Sequence, residues 1–181
     1  MIRWAIGDTH FSHTNIISYC NRPFESLKDM NETMIRKWNE RVKKDDLVFH
    51  IGDFGMSRSN EAPEAPKKPL EIIKERLNGN IIFIAGNHDK NNSNKTPIQK
   101  IVIKHGGYRL CLVHNPEHFD YNYEIDLVGH VHEKWQIKRY FKGNRYSDCI
   151  NVGVDVWDFY PITWSEIWQR YSQYIKNEKT N

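Results

Sequence analysis

The sequence is poor in cysteine: three residues, Cys20, Cys111 and Cys149, with no C-x-x-C spacing among them. An odd, sparse set reads as free thiols in a reducing compartment. Long apolar runs are missing too. None approaches the ~18 residues that a membrane-spanning helix requires, and Asp8 interrupts the first apolar stretch too early for a signal peptide. The expected location is the cytoplasm, with no membrane partner. Charge of one sign is also lacking. With 26 Lys and Arg against 23 Asp and Glu, the formal net charge is only +3, which demands no nucleic-acid partner. No internal repeat is present. Aromatics are not scarce, at 13% of residues, and this argues against disorder. The 181 residues are expected to form a single domain over 1–181. A chain of that length buries roughly 70% of its unfolded surface.

Hydrophobic periodicity sets the element order. Residues 1–7 read as a strand, and 15–20 as a short helix or turn. Met30, Met34, Ile35, Trp38 and Val42 share one face of a helix over 29–43. Strands are expected at 47–51, 81–85, 98–104, 108–113, 125–128, 135–141 and 145–152. A helix over 70–77 ends at Gly79 in the manner of a glycine C-cap. Residues 57–69 hold three prolines and read as a mobile surface loop, and 90–97 as a second polar loop. Thr163 and Glu166 form a capping box for a last helix reaching about residue 176. Early crossovers imply parallel pairing, and later hairpins imply antiparallel pairing. The expected class is α/β of the α+β type, a helix-flanked sandwich with mixed sheets.

Five short clusters fall where strands should end: Asp8-Thr9-His10, Gly52-Asp53, Gly86-Asn87-His88-Asp89, His114, and Gly129-His130-Val131-His132. Taken singly, each is an ordinary turn or a structural histidine. Five strand ends carrying compatible groups in one short chain point instead to a shared site. Asp8 and His10, like His130 and His132, are two residues apart, so on a continuing strand each pair would point one way. Imidazole, carboxylate and amide without thiolate suit Mn²⁺, Fe or Zn²⁺. Asp53 could bridge two ions about 3.5–4 Å apart, a pair that clamps attacking and leaving oxygens at phosphorus and lowers the pKa of bound water. His50, His105 and His118 read as structural. His13 lies close enough to Asp8 to reach a substrate.

These clusters, in this order from residue 2 to about 155, resemble the five motifs of the calcineurin-like metallophosphoesterases. The stretch 8–13, followed by Asn21-Arg22-Pro23-Phe24, is further similar to a compact bacterial and phage-type subgroup. The resemblance implies a four-layer α/β/β/α sandwich with mixed sheets. It implies that Asp8, His10 and His132 hold one metal, that Asn87, His114 and His130 hold the other, and that Asp53 bridges. It makes His88 the proton donor to the leaving oxygen and Asp89 the group that orients His88, with a metal-bridging hydroxide attacking the phosphate ester. Two divalent ions are implied, Mn²⁺ first, with Fe, Zn²⁺ and Ni²⁺ as alternatives. The second motif runs Asp53-Phe54-Gly55-Met56-Ser57-Arg58, without the acidic and arginine residues of the protein phosphatases.

For substrate contact the candidates are Arg22, Arg58 and His13. The hairpin 135–146 and the residue before it carry Lys134, Lys138, Arg139, Lys142 and Arg145 among Trp135, Tyr140 and Tyr146, and could support a second ester group or a nucleic-acid strand. The leading expectation is a phosphodiesterase acting on a nucleotide or a nucleic-acid end. The alternatives are a monoesterase on a small metabolite, or a non-catalytic, metal-stabilised nucleic-acid-binding module. The sequence carries no signal for oligomeric state.

Overall fold

The computed structural model describes residues 1–56, 69–89 and 96–178. Two mixed sheets face each other. The first runs β3 (Asn80–Ile84), β2 (Leu47–Ile51), β1 (Arg3–Ile6), β9 (Ile162–Thr163), with the first three parallel and β9 antiparallel. The second runs β4 (Lys100–His105), β5 (Tyr108–Val113), β6 (Ile125–Val128), β8 (Arg145–Asn151), β7 (Ile137–Lys142). Its three central strands are parallel and its two edges antiparallel.

Alternation along each strand sorts side chains between layers. Trp4, Ile6 and Val48 face α1 (Asn15–Tyr19), α2 (Leu27–Arg41) and α3 (Pro69–Arg76), where they join Met30, Met34, Trp38 and Leu70. Ala5, Phe49, Ile51 and Ile84 point the other way. They meet Leu110, Leu112, Ile125, Leu127 and Ile150 between the sheets. Each such buried aliphatic or aromatic side chain contributes about 1.5–3 kcal/mol. The outer face of the second sheet packs Cys111, Val113, Val128 and Cys149 under Phe119, Tyr123, Trp135 and Tyr140. The last helix, α4 (Trp164–Glu178), sends Trp164 and Ile167 into the core between the sheets. It opens on the anticipated capping box: Glu166 Oε2 accepts the Thr163 N–H at 2.8 Å, and Thr163 Oγ1 accepts the Glu166 N–H at 3.2 Å.

The two sheets meet at one end. Gly7, just past β1, forms a parallel bridge with Gly153, just past β8. The C-terminal ends of β1, β2, β3, β5, β6 and β8 therefore converge on one rim, and every cluster singled out in the sequence lies there. Residues 57–68 of the loop expected at 57–69, with Arg58, and most of the loop expected at 90–97 lie outside the described residues, while Pro69 opens α3.

Candidate metal centre

The rim brings the seven expected ligands together. Metal-compatible atoms of Asp8, His10 and His132 all lie within 4.8 Å of one another, and so do those of Asp53, His114 and His130. Asn87 Oδ1 completes the second group, 3.0 Å from His114 Nε2 and 2.9 Å from His130 Nδ1. Asp53 stands between the groups: its Oδ2 is 3.5 Å from His10 Nε2 and 3.3 Å from His114 Nε2. Gly86 is obligatory beside it, because a Cβ there would fall 2.1 Å from Asp53 Oδ1.

The ring nitrogens present lone pairs inward. His114 Nδ1 donates to the Ile51 carbonyl at 2.9 Å, which leaves Nε2 facing Asp53 and Asn87. His10 Nε2 is buried without any hydrogen-bond partner. Its Nδ1 lies 3.1 Å from His13 Nδ1; with the shared proton on His10 Nδ1, Nε2 keeps its lone pair for a cation. A buried orphan nitrogen facing a carboxylate is costly unless a cation takes it up. The donor set, four imidazoles, two carboxylates and one amide oxygen, fits divalent ions of borderline softness.

Electrostatics agree. Burial by itself would raise Asp53, but its bond with His114 and the charges of His114 and His10 hold it well below the usual carboxylate range. Burial raises Asp8, against the pull of His114 and His132. Burial would lower His114, yet its bond to Asp53 and the charge of Asp8 lift it to about 9. The pocket thus favours positive charge among Asp53, Asp8 and Asn87. Burial foremost, with the charges of His132, Arg22 and His13, drives His10 well below its ordinary value against the pull of Asp53, in keeping with a neutral ligand ring.

Five of the seven residues adopt left-handed backbone: φ is 54° at Asp8, 50° at His10, 55° at Asp53, 71° at His130 and 50° at His132. Asp and His tolerate this region better than most residues, at about 1–3 kcal/mol each. Buried side chains hold the turns in place. Asp89 accepts N–H groups from Asp53, Gly86 and Phe54 at 2.8, 2.9 and 3.1 Å. Asp8 accepts the His130 N–H, at 2.8 Å to Oδ2. Asn151 donates to the His132 carbonyl at 2.8 Å. Thr9 gives its one proton to the Phe54 carbonyl at 2.7 Å, so it accepts from His50 Nε2 at 2.9 Å. His50 is accordingly a buried structural residue.

Two placements depart from expectation, and a third adds to it. Asp89, expected to orient His88, has a carboxylate that also fixes the turns by accepting the N–H groups of Asp53, Gly86 and Phe54. Arg22, expected at the substrate, is buried, and all its donors are committed: to Asp155 at 2.8 and 3.0 Å, to the carbonyls of Asp8 and Thr9 at 2.7 and 3.0 Å, and to Met30 Sδ. It has none left for a phosphate. The tip of the β7–β8 hairpin pairs Lys142 with Arg145 at the end of β8 opposite Asn151. At about 3.3 Å per residue, seven residues place that tip roughly 20 Å from the rim. The hairpin's cations are used locally: Arg139 binds Asp148, Lys138 lies over Tyr140, and Lys142 and Arg145 stack on Tyr121. The tip is too far away to support a second ester group at the centre.

His88 and His13 sit at the mouth. The His88 side chain is 46% exposed, its Nε2 is 4.0 Å from Asp53 Oδ2, and it belongs to neither ligand group. His13 is half-buried, with its ring 6.0 Å from that of His88. A cavity of about 290 Å³ adjoins Asn87 and His114 and is lined further by Gln99, Asn115 and His118. Sequence reasoning missed Asp155, whose Oδ2 accepts from His132 Nδ1 at 3.0 Å. The available signal was a sixth strand end carrying an acid, Asn151-Val152-Gly153-Val154-Asp155.

This arrangement is that of a metal-dependent phosphoric ester hydrolase. The chain belongs to the calcineurin-like phosphoesterase family, which it matches over residues 1–166. It is 38% identical over 161 residues to "Uncharacterized protein MJ1445" of Methanocaldococcus jannaschii, across 88% of this chain and 85% of that protein. Its fold is shared with the solved protein of unknown function AQ665 from Aquifex aeolicus, at a TM-score of 0.67 and 24% identity, across 93% of this chain and 98% of that one.

Proposed function

We propose that the chain is a dinuclear phosphodiesterase whose substrate is a nucleotide diester or a nucleic-acid end. The observation that carries the dinuclear reading is Asp53, whose Oδ2 lies within 3.5 Å of His10 Nε2 and 3.3 Å of His114 Nε2, one from each ligand group. Asp8, His10 and His132 would hold one ion. Asn87, His114 and His130 would hold the other, with Asp53 shared. When bound, two divalent ions, Mn²⁺ foremost, supply the activated water and offset charge at phosphorus. His88, exposed at the mouth and outside both groups, would give its proton to the departing oxygen, while the cavity beside Asn87 and His114 receives part of the ester.

The diester preference rests on charge. A monoester dianion carries one more negative charge than a diester and calls for fixed cations beyond the metals. Among the described residues, Arg22 is spent on the protein itself, and Lys100, which lines the cavity, is held by Asp120 at 2.7 Å. The test compares bis-p-nitrophenyl with mono-p-nitrophenyl phosphate, then matched nucleotide diesters and monoesters, at saturating Mn²⁺. A higher kcat/KM for diesters is expected. Equal or greater efficiency on monoesters across the panel overturns the preference.

A further inference from the structure

Arg22 and Asp155 lie 133 residues apart in sequence, yet they join both ends of one metal group. Arg22 Nε and Nη2 grip the two Asp155 oxygens at 2.8 and 3.0 Å. The same guanidinium reaches the carbonyls of Asp8, at 2.7 Å, and Thr9, at 3.0 Å. Asp155 Oδ2 then takes a third donor, His132 Nδ1, at 3.0 Å. An arginine–carboxylate pair serving packing alone would have no use for that third contact. Arg22 and the Asp155 side chain are almost fully buried, so neither ion can fall back on water.

We propose that Asp155, clamped by Arg22, is a positioning residue that fixes the His132 ring with Nδ1 protonated and Nε2 turned to Asp8 and His10, completing one divalent-metal site. The proposal rests on the dinuclear reading. A ring held through one nitrogen offers the other in a set direction, and loss of such a partner weakens metal binding about 10–100-fold. Because Arg22 also ties the Asp8 and Thr9 carbonyls, the same clamp holds two of the three ligands in register.

The metal-stripped full chain is titrated calorimetrically with Mn²⁺ alone, beside Asp155→Asn, with melting followed by circular dichroism. An amide offers one acceptor oxygen to three donors, so His132 loses its charged partner. Wild type should bind two ions. The variant should keep one at unchanged affinity and bind the other about 10–100-fold more weakly. A folded variant with both affinities unchanged overturns the proposal and leaves the dinuclear reading standing. A wild type that takes up no Mn²⁺ overturns both. Should the variant not fold, long-range ¹H–¹⁵N spectra of the Zn²⁺-loaded wild type decide: a proton on His132 Nδ1 supports the proposal, and one on Nε2 overturns it.

Discussion

The Asp89 carboxylate accepts the backbone N–H of Asp53 at 2.8 Å, across 36 residues of sequence. Its other contacts, with Gly86 N and Phe54 N, make it the tie between the turn after β2 and the turn after β3. Asp89→Ala would leave three buried N–H groups without acceptors, at about 1–3 kcal/mol each. A loss of at least 3 kcal/mol is therefore expected in urea unfolding. An Asp89→Ala protein that keeps its stability and loses only kcat would show that its main role is to orient His88.

Asp53→Asn removes the carboxylate that stands between the two groups of candidate ligands. The purified variant should carry less metal and show less activity than wild type. Elemental analysis checks this, and full metal content in the variant would end the bridging assignment.

His88→Ala should retain both ions and lower kcat by about 10²–10⁴-fold, the usual worth of a positioned acid. The loss should shrink for esters with good leaving groups, whose oxygens need little protonation. If metal is stripped instead, His88 is a ligand.

Asp126 is buried on the outer face of the second sheet, where its oxygens accept from Ser147 Oγ and, at 3.2 Å, from the Asp120 N–H. Burial pushes its carboxyl up to about 6 from 3.8, against its hydrogen bonds. Folding thus favours the protonated form. Its contribution is complete below pH 3.8 and lost as pH rises through about 6, a change of about 3 kcal/mol. Asp126→Asn mimics the protonated acid, with Oδ1 for Asp120 N–H and an amide donor for Ser147. Urea midpoints measured from pH 4 to 7 should fall in wild type relative to the variant. Parallel curves would show that Asp126 is not responsible.

Each candidate cluster was legible because it is local: an apolar run, then glycine or a direct turn, then acid, imidazole or amide. The strands Leu47–Ile51 and Ile125–Val128 have the bounds read from the sequence, and the Thr163–Glu166 box opens the last helix as expected. Other features have no local signature. The two-residue strand β9 is too short to show a period, and the parallel pairing of β5, β6 and β8 is made by partners distant in sequence.

Residue type and spacing along the chain determined which groups gather at the rim, since a strand end aims whatever follows it. They did not determine what the surrounding charges do. Arg22 looked like a phosphate ligand until its five donors met Asp155, Asp8, Thr9 and Met30, and the tip cations Lys142 and Arg145 looked adjacent until register placed them at the far end of β8. Whether a charged side chain serves substrate or scaffold depends on which partners burial leaves within hydrogen-bond reach. Only the packed tertiary structure brings together partners 133 residues apart.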